Sequence, residues 1–282
     1  MDFSSLFNNF NEIKKQNNTA NMFNIIKPII ITKLQEHLKD ASTGRPRTTD
    51  LNKFLDALFA VTEEGIKLRN IKKYFDIPKT TYLRYFKICK DLDIFNLINK
   101  DLLDEYNILN TKDYITDVEI IKSVNGSKGV GKNPTDRGRK GIKASIITTF
   151  DSIITETKLA PANVHDSKIL KDMKFVNKNN GKKNIFADSA YVGMPLKNYC
   201  AENNIRIVSV QKKKRNGRKS HYLQTKDRIK LKKRWTIERT ISMLRQFRGI
   251  CTKRTYYVDS FNCMFNLAIL CINCCTVYRL HN

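Results

Sequence analysis

Two periodicities divide the chain. Through roughly the first hundred residues, apolar side chains recur at three- and four-residue steps, the mark of helices with one buried face. Met22 to Leu38 is one such amphipathic segment. Leu51, Phe54, Leu55, Leu58 and Phe59 line another, which Gly65 ends. Leu68, Ile71 and Phe75 fit a short helix, and Asp76-Ile77-Pro78-Lys79 reads as a tight turn. A second helix follows, capped by Thr80 and carrying Tyr82, Leu83, Phe86 and Ile88 on its apolar side. Helix, short turn and capped helix predict a helix-turn-helix that presents Lys79, Thr81, Arg84 and Lys87 outward. A plain helical hairpin with a charged face is the other reading of that pattern.

Beyond Asn110 the pattern shifts to strands. Tyr114 to Ile121 has strand composition and carries Asp117. Ile142 to Phe150 and Ile153 to Leu159 flank Asp151-Ser152 as a hairpin. His165-Asp166-Ser167 starts a helix with an acidic cap. Ile185-Phe186-Ala187 is a brief apolar strand that ends at Asp188, Pro195 opens a helix to about Asn203, and Ile205 to Val210 is a further strand. Lys230 to Arg248 reads as one helix, with Leu231, Trp235, Ile237, Ile241, Leu244 and Phe247 as its stripe. Phe261 to Val277 is apolar almost all round and predicts a buried helix closing the sheet. A hairpin, then strands alternating with helices, describes a mixed sheet with helices on its faces.

Charge narrows the partner. Lys and Arg number 52 against 27 Asp and Glu, a net charge of +25. That excess points to a polyanion, most plausibly nucleic acid, although charge alone leaves a membrane surface or RNA open. Gly44-Arg45-Pro46-Arg47 is a short basic linker that either tracks DNA or is merely solvated. Lys212 to Arg234 is the most basic stretch, a natural cradle for a phosphodiester backbone. The Gly- and Lys-rich stretch Asn125 to Lys140 lacks P-loop spacing, since Gly131-Lys132 is followed by Asn133, and reads as a mobile basic loop. The seven cysteines follow no framework or zinc spacing and read as packed thiols of a reducing compartment. With no signal peptide and no membrane partner expected, the protein is expected inside the cell.

Three acids stand out. Asp117 and Asp188 each lie within or at the end of a short apolar run. Glu238 is the lone acid of a basic helix, four residues after Arg234 and on the same face. By itself Glu238 reads as a structural ion-pair partner or a metal ligand; the two upstream acids favour the ligand. His165 and Asp166 are substrate-positioning or supporting residues, or a simple helix cap.

These residues carry a resemblance. Asp117 with GRKGIKASIITTFDSIITETKLAPANVHDS, then IFADSAYVGMPLKNYCAENNI, then RWTIERTISMLRQFRGICTKR, resemble the DDE transposases of bacterial insertion sequences, within them the insertion-sequence-five family, over roughly Gly44 to Asn273. Arg234, Glu238 and Arg245 resemble that family's C-terminal signature, with Leu231 where a Tyr is expected and Arg245 where a Lys is. The resemblance implies an RNase-H-like α/β fold, with the first acid on the first strand, the second after the fourth and the Glu on a late helix. Residues 1–43 read as an Asn- and Lys-rich segment and 44–110 as an all-α helix-turn-helix domain, and the resemblance makes 111–282 the catalytic domain. Asp117, Asp188 and Glu238 would be catalytic and would hold two Mg²⁺ ions, Mn²⁺ substituting, about 3.5–4 Å apart. Arg45, Arg47, Lys79, Thr81, Arg84, Lys87, Arg234 and Arg245 would contact DNA. The partners implied are double-stranded DNA, as element ends and target, and further copies of the chain in a homodimer or larger complex. The location implied is the cytoplasm of a prokaryote or virus-infected cell, or a eukaryotic nucleus. The activity implied is metal-dependent cleavage at terminal inverted repeats and strand transfer; a domesticated DNA-binding protein or nuclease without transposition is the alternative.

Overall fold

The structure is a computed structural model that describes residues 3–8, 22–38, 50–126, 128–134, 137–173, 181–191, 193–209 and 223–281. Its residues group into two compact units. One comprises Met1–Tyr106, Leu244–Cys251 and Asp259–Asn282; the other comprises Asn107–Met243 and Thr252–Val258.

The first unit is all-helical. Its helices are α1 (Met22–His37), α2 (Leu51–Glu63), α3 (Ile71–Phe75), α4 (Lys79–Asp91) and α5 (Ile94–Glu105). Asp50 caps α2 by accepting from the Asn52 backbone at 2.8 Å. Phe54 of α2 packs against Tyr82 and Tyr85 of α4 at centroid distances of 5.6 and 5.5 Å. Phe23 of α1 stacks on Phe59 at 4.0 Å. Helix α3, a turn and α4 have the succession expected of a helix-turn-helix, with Asp76 in the left-handed region at the corner. Two details differ from expectation. Helix α4 starts at Lys79 behind Pro78, so Thr80 lies inside it and does not cap it. Its buried face is Tyr82, Tyr85, Phe86 and Cys89, and Leu83 is exposed, because i, i+3, i+4 and i+7 share a face and position 83 falls outside it.

The long C-terminal helix is buried, as its apolar run predicts. Helix α10 (Val258–His281) belongs from Asp259 onward to the helical unit. Asn273 donates to Asn99 of α5 at 2.8 Å, both buried, and Asn266 donates to Asp93 at 3.1 Å. The helix is long and apolar enough to cross a bilayer, yet 83% of its most apolar window is buried in the protein. Cys263, Cys271 and Cys274 are buried along it as free thiols, and burial pushes the Cys271 and Cys274 thiols well above their ordinary range.

The second unit is built on a mixed sheet. Its strands are β1 (Asp113–Ser123), β2 (Gly131–Lys132), β3 (Lys140–Thr149), β4 (Ile154–Pro161), β5 (Lys183–Ala187), β6 (Ile205–Ser209) and β7 (Thr252–Lys253). Antiparallel β4, β3 and β1 are followed by β5 and β6 parallel to β1, while β2 and β7 add two-residue extensions to β3 and β1. This is the expected RNase-H-like α/β arrangement. The β3–β4 turn places Ser152 at φ +68°. Tyr114, Ile147, Leu170, Ile185, Leu196 and Ile205 form a core with α6 (Asp166–Asp172) and α7 (Met194–Glu202). Each large apolar side chain buried there contributes about 1.5–3 kcal/mol.

Two further corrections concern local form. Lys230 to Arg248 is two helices, α8 (Thr225–Lys232) and α9 (Trp235–Gln246), with a turn at Lys233-Arg234. Trp235 consequently leaves the apolar stripe and is 52% exposed, under the Arg239 guanidinium at 4.8 Å. The stretch from Asn125 to Lys140 is not simply a loop, since β2 pairs within it and Gly126 lies tight against the Tyr256 carbonyl.

Candidate active site

Strand register brings the first two acids together. Asp117 sits in the middle of β1, opposite Ile146 of β3. On its other side β1 pairs with β5 through Asp113↔Asn184, Tyr114↔Ile185 and Ile115↔Phe186. Two more steps along that register set Asp188, just past the end of β5, beside Asp117, neighbouring strands being about 4.8 Å apart. Asp188 is exposed and accepts a hydrogen bond from the Ser189 backbone.

Helix α8 anchors the approach to the third acid. Asp227, buried in α8, pairs with Arg206 of β6, and Lys230 pairs with Asp113 of β1. The turn after α8 then carries Arg234 back over β1. Its Nη1 donates to Asp117 Oδ2 at 2.7 Å, and its Nη2 lies 3.7 Å from Glu238 Oε1 in the first turn of α9. Arg234 thus joins the first and third acids. Its pairing with Asp117 has no signal in the sequence, because the two lie 117 positions apart. Glu238 is more open than Asp117, its side chain 65% exposed against 27%.

The electrostatics of Asp117 are under-compensated. Burial pushes its carboxyl above the ordinary value, and the charge of Asp188 adds to the rise. The Val118 amide, donating at 2.8 Å, and Arg234 pull the other way without cancelling it. Behind it lies Tyr191, buried, whose phenol is pushed far up by burial, then by the charges of Asp166 and Asp117. Asp166 itself pairs with Lys143 of β3 at 2.7 Å. His165 caps α6, its Nδ1 accepting from the Ser167 backbone at 3.3 Å, so the cap is the histidine and not the acid. The ion pair and the Tyr191 contact set Asp166 in the layer behind Asp117; His165 is exposed at the surface.

The donor set suits a hard cation, three carboxylates being oxygen ligands of the kind Mg²⁺ takes. The geometry does not yet gather them: among the described residues no group of three His, Cys, Asp or Glu stands close enough to hold a metal ion. Instead the Arg234 guanidinium occupies the space between Asp117 and Glu238.

Of the residues expected to contact DNA, Lys79, Arg84 and Lys87 are exposed on α4, with Arg84 over the Tyr85 ring at 5.4 Å, and Thr81 is half-buried. Arg245 is exposed in the last turn of α9 and belongs to the helical unit. Arg45, Arg47 and Lys212 to Tyr222 lie outside the described residues.

Fold and acids define an RNase-H-like α/β protein with carboxylates on neighbouring strand positions. Residues 114–274 match the transposase DDE domain, more than half of the chain, and the protein belongs to that family of transposases. No curated protein matches it in sequence. Among solved structures it is similar to a piggyBac transposase synaptic complex with hairpin DNA, at 10% identity and a TM-score of 0.53, over 90% of this chain and 70% of that one. At that identity the likeness is one of fold. A Mos1 transposase paired-end complex aligns over 91% of this chain and 80% of that one at 8% identity, but its TM-score of 0.25 carries no structural argument.

Proposed function

We propose that the protein is an active DNA transposase that binds the inverted repeats at its element's ends, cuts DNA there and joins the 3′ ends to a target. The observation that carries this is a transposase DDE domain in which strand register sets Asp188 beside Asp117 and Arg234 links Asp117 to Glu238 of α9.

Asp117, Asp188 and Glu238 are the residues that would hold two Mg²⁺ ions. Bound there, such ions supply activation of a water or 3′-hydroxyl and stabilisation of the leaving oxygen. The chain's own groups do the rest. Because burial raises the Asp117 carboxyl, its carboxylate is a more basic oxygen donor than one in open water. Arg234 leaves Asp117 when the acids draw together and turns to the phosphodiester, for which its planar fork is suited. Asp166 and Lys143 hold the layer behind β1 and β3 in place. Lys79, Thr81, Arg84 and Lys87 on α4 read the element ends, and the basic stretches at Arg45-Arg47 and Lys212 to Arg234, with Arg245, neutralise phosphates. A two-ended DNA complex requires at least two copies of the chain, and the synaptic DNA complex of the piggyBac protein supports that expectation.

The test is strand cleavage on DNA carrying the element's ends. Asp117→Asn, Asp188→Asn and Glu238→Gln should each abolish Mg²⁺-dependent nicking while the protein still melts cooperatively and binds DNA as well or better, since unneutralised carboxylates repel phosphate. Nicking at the wild-type rate by folded Glu238→Gln would remove Glu238 from the site.

A further inference from the structure

One part of the sheet unit lies outside this reading and is built with unusual care. Between β7 and α10 run Arg254, Thr255, Tyr256 and Tyr257, and every carbonyl of that run is held. Asn125 Nδ2 donates to the Arg254 carbonyl at 2.8 Å. Lys253, fully buried, donates through Nζ to the carbonyls of Thr255 at 2.8 Å, Tyr256 at 3.3 Å and Asn125 at 2.8 Å. Thr255 Oγ1 donates to the Tyr257 carbonyl at 3.0 Å. Gly126 permits the close approach: a Cβ there would stand 2.2 Å from the Tyr256 oxygen, and its φ of +77° favours glycine.

This scaffold buries neither tyrosine. Tyr256 and Tyr257 are 63% and 58% exposed, their rings edge-to-face with centroids 4.9 Å apart. A rigid backbone below two open aromatic rings is a surface for stacking and has no core to complete. Its surroundings are cationic: exposed Arg254 adjoins the pair, exposed Lys122 sits opposite Thr252 in the β1–β7 register, and exposed Lys128 precedes Gly129, which abuts Val258. Aromatic faces interleaved with Arg and Lys suit nucleobases whose backbone is neutralised alongside. In a duplex the bases stack on each other, so an unpaired base offers both its faces where a terminal pair offers one.

We propose that Tyr256 and Tyr257 are a stacking platform for unpaired bases of DNA, with Arg254, Lys122 and Lys128 taking the adjoining phosphates. The proposal rests on the transposase reading, in which the protein handles cut DNA ends.

The experiment uses the full chain and two fluorescein-labelled duplexes of one arbitrary sequence, one blunt and one with two unpaired nucleotides that include 2-aminopurine. The wild type should bind the second duplex more tightly by about tenfold, the scale of one stacked base, and quench its 2-aminopurine. Tyr256→Ala with Tyr257→Ala should erase both the preference and the quench and leave blunt-duplex affinity unchanged. Phe at both positions should restore them. Equal preference and quench in wild type and the Ala variant would overturn the platform while leaving DNA binding intact. If the Ala variant loses both duplexes equally and sediments as a smaller species than wild type, the surface joins copies of the chain and the proposal fails. A wild type that binds neither duplex would instead sink the transposase reading, and the platform with it.

Discussion

Two charges are withdrawn from water near β1, and the protein treats them oppositely. Lys253, beside the end of β1, is fully buried, and all three of its donors reach backbone carbonyls. Asp117, in the middle of the same strand, is half-buried beside another acid, and its partners do not offset its burial. Burial disfavours the Lys253 charge too, but its every donor is met by backbone, so it serves the fold. A charge left under-compensated at an open edge costs stability unless something else arrives to neutralise it, and perturbed carboxyls of that kind mark working sites.

The comparison breaks first, if it breaks, on stability. Lys253→Met strands the carbonyls of Thr255 and Tyr256, each costing about 1–3 kcal/mol when left unmet, while Ser123 still donates to Asn125, so a loss of about 2 kcal/mol or more is expected in urea unfolding. A loss under about 1 kcal/mol would show that the carbonyls find water or new donors. Asp117→Asn should behave differently. The unfavourable burial of its charge and the loss of the Arg234 pair oppose each other, so stability should change by less than about 1 kcal/mol, the range of a part-exposed ion pair. A large loss there would make Asp117 a structural acid.

A smaller effect sharpens the role of Arg234. If its guanidinium stands where cations are to be held, Arg234→Gln should tighten Mg²⁺ binding measured by calorimetry about fivefold, the equivalent of about 1 kcal/mol for a half-exposed ion pair. Unchanged or weaker binding would mean the arginine and the ion do not compete.

The smallest effect is a pH slope. Burial lowers the Lys253 amine below its ordinary 10.5, so the unfolded chain holds that proton more tightly. Its penalty is full below the lowered value and fades as pH rises towards 10.5, so the wild type should gain stability across that window. Lys253→Met should lack that gain. Parallel pH profiles for the two proteins would place the wild-type lysine in water.

Much of this was legible. Asp117 and Asp188 stood out because apolar strands lead into them, and β1, β3, β4 and β5 followed from runs such as Ile142 to Phe150. The break between α8 and α9 was not legible: Lys233-Arg234 contains no Gly or Pro, and the helical stripe runs straight through it. What accompanies the turn there is the pairing of Arg234 with Asp117, a contact set by the sheet. Helix α10 was readable as buried, but a segment apolar all round has no face to say which unit buries it. Lys253 is one of 52 basic residues and nothing in the pattern singles it out. Tyr256-Tyr257 lies in a bend between β7 and α10, where no helical or strand period says whether an aromatic is buried.

The central claim is that Asp117, Asp188 and Glu238 touch the metal themselves. The most direct measurement is cleavage by Asp117→Cys, assayed in parallel with Mg²⁺ and with Mn²⁺. A thiolate is a poor ligand for the hard Mg²⁺ and a better one for the softer Mn²⁺. The account predicts no cleavage in Mg²⁺ and a return of cleavage in Mn²⁺, at an unchanged melting temperature. A folded Asp117→Cys protein that cuts equally well with both ions, or that stays inactive with both while Asp117→Asn still cuts in Mg²⁺, would contradict it.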